Sequence, residues 1–158
     1  MATTNYYEFL DRFEAPCDIE TAWSYISQPE NYPKWWGKVY KEAIKTVAEN
    51  GDETVKVVVG GFLPYTLTIF NRNTLKKKPF ELHFDAWGDL QGKGIWLLET
   101  LPNGNTQVTF DWRVAADKAV IRWFSWMLKP LFRANHNFCI VEAEKGLRAD
   151  LSKRTVSV

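Results

Sequence analysis

Cysteine, histidine and long apolar runs are what this 158-residue chain has least of. Cys17 and Cys139 stand far apart without CxxC spacing, so no disulfide framework is written into the sequence. His83 and His136 are the only histidines, which excludes a three-histidine zinc site. No GxSxG segment offers a nucleophile elbow, and the serines are scattered. No stretch approaches the roughly 18 apolar residues of a membrane-crossing helix. Met1 to Phe9 lacks the basic start and apolar run of a secretory signal. An excess of one charge is also missing: 20 basic residues face 19 acidic ones, for a net charge of +1, which leaves no electrostatic footprint for nucleic acid. The one basic run, Lys76-Lys77-Lys78 beside Pro79, reads as a solvated hairpin turn. Together these absences predict a reduced, cytoplasmic chain with no integral membrane segment, no metal, no cofactor and no nucleic-acid partner. Transient contact with a membrane surface stays compatible with them, and the oligomeric state is not written in the sequence.

Aromatic residues are what the chain has in excess. Eight Trp, ten Phe and six Tyr make 15% of it. Such side chains offer rigid apolar walls with a few polar tips, which suits a ligand pocket. The length fits one domain, residues 1–158, better than two. A domain of this size buries roughly 68–70% of its unfolded surface, enough for a core and a cavity.

Hydrophobic periodicity divides the chain into elements. Asn5 to Glu14 alternates as a strand, with Tyr7, Phe9 and Phe13 on one parity and Glu8 and Arg12 on the other. Asp18 is a good N-cap for a short helix to Ile26, and a second helical turn covers Pro29 to Trp36, ending at Gly37. Six strands follow: Tyr40 to Ala48, Glu53 to Val59, Tyr65 to Asn71, Pro79 to Trp87, Gly94 to Leu101 and Thr106 to Val114. Asn50-Gly51 and Pro102-Asn103-Gly104-Asn105 are turn signals between them. Gly88, Gly92 and Gly94 read as a flexible hairpin. Asp117 to Leu128 is amphipathic, Pro130 predicts a break, and a long helix runs from Pro130 to about Leu151. Phe132, His136, Cys139, Ile140, Ala143 and Leu147 recur on one side of it, while Glu142, Glu144, Lys145 and Arg148 fall mostly on the other. Ser152 to Val158 reads as a frayed end. The predicted architecture is α+β: a curved antiparallel sheet of about seven strands around a long C-terminal helix, with two short helices after strand 1. Gly60, Gly61 and Gly88 allow the curvature.

This element order resembles the helix-grip fold of the START-like, or SRPBCC, superfamily, close to its polyketide cyclase/dehydrase and lipid-transport branch. Four stretches are similar to that family: Pro29 to Trp36 after the first helix, Gly88 to Gly94 with Trp96 and Leu98, Phe110 to Val114, and Phe132 to His136 followed by Glu144 to Leu147. The resemblance covers nearly the whole chain. It implies the fold, but the family spans carriers, aromatase/cyclases, hydrolase-like members and ring-hydroxylase subunits, so the site must decide the function. The iron-dependent branches need a ligand set that this sequence lacks.

Tyr65, Phe84, Trp96 and Trp112 take the inward parity of successive strands, and with Trp36, Phe62, Phe132, His136 and Cys139 they are the candidate ligand-binding residues. The mouth is expected near Trp36, Phe62 and the Gly88 to Gly94 hairpin, with His136 or Tyr65 orienting a polar end. His136 reads either as a core histidine bonded to backbone or as an acid/base, since imidazole titrates near neutrality. The parity of Phe80, Leu82 and Phe84 turns His83 and Asp85 outward, away from any two-His, one-carboxylate set. Asp111 and Arg113 should form an outer surface pair, and Cys139 reads as a small buried hydrophobe. The function these residues favour is binding of a hydrophobic small molecule, a lipid, isoprenoid or polyketide-like aromatic, between sheet and helix. The alternatives are a cyclase, aromatase or dehydratase working by proton transfer in the same cavity, and an interaction module with a filled core and no ligand.

Overall fold

The structure, a computed structural model, describes residues 6–62, 65–116 and 128–156. Strand β1 (Tyr6–Ala15) leads into helix α1 (Ile19–Ile26), a 3-10 turn (Pro29–Asn31) and the short helix α2 (Tyr32–Trp35). Six strands follow: β2 (Tyr40–Val47), β3 (Glu53–Val59), β4 (Leu67–Lys77), β5 (Glu81–Gly88), β6 (Leu90–Thr100) and β7 (Thr106–Ala116). Helix α3 (Leu128–Val156) is the last described element.

All seven strands form one antiparallel sheet in the order β1-β7-β6-β5-β4-β3-β2. Strands β2 to β7 form a meander, and α1 and α2 carry the chain from one sheet edge to the other. The inner face of the sheet holds the core. Tyr7, Phe9 and Phe13 on β1, Val55 and Val57 on β3, Trp96 and Leu98 on β6 and Val108, Phe110, Trp112 and Val114 on β7 are all buried. Ile140, Ala143 and Leu147 of α3 pack onto that face at helical spacing. Burial of this face stabilises the fold at roughly 25 cal/mol per Å² of apolar area removed from water.

Helix starts and contacts are set by individual residues. The Asp18 carboxylate caps α1 by accepting from the Thr21 N–H at 2.8 Å. The Trp36 indole N–H donates to the Cys139 carbonyl at 2.8 Å and ties α2 to α3. Gly146 makes that closeness possible, because a Cβ there would lie 1.8 Å from the Trp35 carbonyl oxygen. The Tyr25 hydroxyl donates to Asp150, which joins α1 to the same helix.

Several expectations need correction. Strand β4 runs on to Lys77, so Lys76 and Lys77 are strand residues, and the turn lies at Lys78 to Phe80. Phe80 sits in that turn, where strand parity does not apply, and it is exposed rather than inward. Gly88 ends β5 and Asp89 alone separates it from β6, while Gly92 and Gly94 lie inside β6 rather than in a flexible hairpin. Glu142 is buried, paired with Lys38 at 3.4 Å and Lys145 at 3.7 Å, although its helical position read as outward. Helix α3 continues to Val156, past the expected fraying point at Ser152. Pro130 lies within its first described turn, and the helix expected over Asp117 to Leu128 falls, but for Leu128, outside the described residues.

Candidate functional site

A cavity lies between the inner face of the sheet and helices α1, α2 and α3. Its sheet wall is built from the inward parity of successive strands. Val57 and Val59 of β3, Leu67 and Ile69 of β4, and Leu82 and Phe84 of β5 form one half. Leu90 and Trp96 of β6, with Phe110 and Trp112 of β7, form the other. The helical wall is Ile26, Tyr32, Trp36, His136, Cys139 and Ile140. The rings pack on one another. Trp96 stacks on Phe110 at 4.0 Å, Phe84 leans on Trp112 at 5.5 Å, and Trp36 and Tyr32 meet Tyr40 at 4.7 Å and 4.9 Å. Gly94 gives Phe84 its place, since a Cβ on Gly94 would lie 2.2 Å from that ring.

The free volume is about 120 Å³. A dry apolar cavity of roughly 150 Å³ takes up benzene. As folded, then, the space suits a ring-sized group, and a larger molecule must reach out of it or move a wall. The half-buried residues of the lining include two groups, one at Gly60, Gly61 and Asn135 and one at Pro29, Asn71 and Asn73. Leu67 and Asn73 mark the two along β4, roughly 20 Å apart at strand rise.

Polar groups on this wall are few. His136 Nε2 lies 2.6 Å from Asp11 Oδ2, and the imidazole stacks on Phe9 at 3.9 Å. Both side chains are largely buried, 11% and 17% exposed. An ionised carboxylate only accepts, so the proton in that bond sits on Nε2. The expected backbone partner for His136 is thus replaced by a carboxylate. Sequence reasoning missed Asp11, although the signal was there: Asp11 shares the parity of Tyr7, Phe9 and Phe13. Burial raises the pKa of Tyr65, as it does strongly for Tyr32 and Tyr40, so these stay neutral phenols. The Tyr32 hydroxyl donates to the Ile26 carbonyl at 2.6 Å. Burial also pushes the Cys139 thiol up to about 12, which makes it a poor nucleophile.

The structure brings Trp36, Tyr65, Phe84, Trp96, Trp112, His136 and Cys139 together on the cavity wall. Phe62 is not on that wall. It is exposed and packs edge-on against Phe138 at 5.8 Å, just outside Gly61. The side chain of Phe132 lies outside the described residues. Asp111 and Arg113 pair on the outer face at 3.0 Å. His83 bonds Glu81 on that same outer face, so it cannot join His136 in a common ligand set. Asn71, Asn73 and Asn135 line the cavity without having been singled out, although amides on the inner parity of an apolar strand were a readable signal.

A curved antiparallel sheet gripping a long helix over a ring-lined cavity defines a START-like, helix-grip protein. The chain belongs to the family of polyketide cyclases/dehydrases and lipid-transport proteins, whose sequence profile matches residues 15–136. Solved structures agree on the fold. The chain is similar to the Zhui aromatase/cyclase of Streptomyces sp. R1128, with TM-score 0.71, 12% identity, and coverage of 95% of this chain and 96% of that one. It is similar to a START superfamily protein of Mycobacterium smegmatis, with TM-score 0.71, 14% identity, and coverage of 92% and 97%. It also resembles the TTHA0849 protein of Thermus thermophilus, with TM-score 0.68, 12% identity, and coverage of 91% and 99%. No functionally curated protein matches the chain in sequence. No described helix is long and apolar enough to cross a membrane.

Proposed function

We propose that this chain binds an apolar, ring-bearing small molecule in the cavity between sheet and α3. The observation that carries this reading is the wall itself: Phe84, Trp96, Phe110, Trp112 and Trp36 face one space that they do not fill. Burying ligand surface there would supply affinity at roughly 25 cal/mol per Å² before association costs. Family membership and the likeness to both a cyclase and a START protein support the same reading. The ligand-binding residues are Trp36, Tyr65, Phe84, Trp96, Trp112, His136 and Cys139. An interaction module would have a filled core, which the cavity argues against. The experiment is titration with aromatic probes, followed by calorimetry. Saturable binding that Trp96→Ala or Phe84→Ala weakens is the expected result, and no binding by any ring-sized probe would overturn it.

The Asp11–His136 pair favours a second reading, proton-transfer chemistry on the bound molecule. A carboxylate fixing Nε2 leaves Nδ1 as the nitrogen that can take or give a proton. A ring-closing dehydration removes one water, so the ligand recovered would be one water lighter than the one supplied. His136→Gln should return it unaltered while still binding it, and undiminished conversion by that variant would remove His136 from the chemistry.

A further inference from the structure

Strand β4 changes character along its inner face. Leu67 and Ile69 are buried and apolar, and the next residues of that parity are Asn71 and Asn73. A bulge between Asn73 and Leu75 shifts the register, so Lys76 pairs with the buried Leu82 and takes the same face. Asn71 stands in the ladder between the buried Val55 and Ala86. Its Oδ1 is buried and has no hydrogen-bond partner among the described residues. Burying an unpaired amide oxygen is costly, and such atoms are rare in native structures, so each asks for a partner.

The place where Asn71 sits says what that partner is. Pro29, Asn71 and Asn73 wall both the apolar cavity and a second, polar pocket of about 280 Å³ that includes Glu30, Lys45, Glu53 and Lys76. The two asparagines form the partition between a ring-lined chamber and a charged one. The charges of the second chamber balance, two acids against two bases, and Lys45 already lies 3.5 Å from Glu30 and 3.0 Å from Glu53. A net charge on the ligand gains little there.

We infer that the ligand is a neutral, hydroxylated ring compound, its ring among the aromatic walls and its hydroxyl bonded to the Asn71 carboxamide at the partition. A hydroxyl both donates and accepts, so it satisfies the amide oxygen and also suits the amide N–H. The inference rests on the reading that the cavity holds an apolar ligand, and it adds the polar end and its chemical class.

Calorimetric titration with 2-naphthol, naphthalene and 2-naphthoate tests it. The expected result is that 2-naphthol binds about threefold to tenfold more tightly than naphthalene, the worth of one buried hydrogen bond. Asn71→Leu should erase that preference while keeping naphthalene binding and raising the melting temperature. Asn71→Ala, which adds no bulk, should erase it too. Equal binding of naphthol and naphthalene by the parent protein would overturn the inference alone, as would a preference that survives both variants. Tighter binding of 2-naphthoate would overturn the neutral class. Failure of all three probes to bind would overturn both this inference and the apolar-ligand reading beneath it.

Discussion

Asp11 and His136 are largely buried together, and each is the other's partner. Removing either leaves the other without its hydrogen bond, so Asp11→Ala and His136→Ala should each destabilise the fold by about 1–3 kcal/mol. The double variant should cost less than the sum, with a coupling energy of at least about 0.5 kcal/mol. Urea melts of the four proteins measure this, and strict additivity would mean that the pair contributes nothing. The two thiols make a pH prediction. Burial pushes Cys17 from 9.0 up to about 11 and Cys139 from 9.0 up to about 12. The folded chain therefore keeps protons that the unfolded chain releases above pH 9, so stability falls as pH rises from about 9 toward 12. A Cys17→Ala, Cys139→Ala double variant should lose less melting temperature over that window than the parent. At this scale the sequence is legible in part. Parity alone placed Phe84, Trp96 and Trp112 inward, because side-chain direction in a strand is strictly alternating. The same parity marked Asp11 and Asn71, but charge and amide chemistry read as surface until their neighbours were known. The partner of His136 lies 125 positions away, and no local pattern reveals such a distance.

Among the elements, two glycines separate stability from binding. Gly146→Ala would normally help a helix by about 1 kcal/mol. Here the added Cβ would lie 1.8 Å from the Trp35 carbonyl oxygen, a backbone atom that cannot yield without moving α2 off α3. The variant should therefore lose several degrees of melting temperature, and an unchanged or raised value would contradict the packing described. Gly94→Ala meets the tip of the Phe84 ring first, at 2.2 Å, and a side-chain ring can swing where a backbone atom cannot. The swing takes it into the cavity, so affinity for a ring-sized probe should fall at least tenfold with only a small change in stability. Calorimetry beside a thermal melt separates the two effects. Element order, the Asp18 cap and the hairpin at Asn50-Gly51 were legible because each has a local chemical signal. The bulge between Asn73 and Leu75 was not, since nothing in Asn-Thr-Leu marks an extra residue. The run of lysines hid the end of β4 for the same reason, as exposed strand and turn share a composition. Edge strand β2, with Lys41, Glu42 and Lys45 along it, shows charge used where pairing with another chain would otherwise be invited.

For the whole molecule, the central matter is a sheet that curves around a helix without closing on it. Composition alone suggested a cavity, because rings were in excess of what a solid core needs. Its position and small free volume were beyond the sequence, because they depend on small gaps between walls that are remote from each other along the chain. Most of that wall is hydrocarbon, interrupted by the His136 imidazole, which Asp11 bonds, and a short row of amides. Such a surface favours an apolar body and is selective about its polar end. Native mass spectrometry of the purified protein, followed by organic extraction and identification of whatever is bound, tests this most directly. The account predicts a one-to-one complex with a ring-bearing apolar molecule that carries a hydroxyl group, weakened about threefold to tenfold by Asn71→Leu and at least tenfold by filling the cavity through Gly94→Ala. A protein that stays unliganded under native conditions, and stays so after exposure to 2-naphthol, would contradict it.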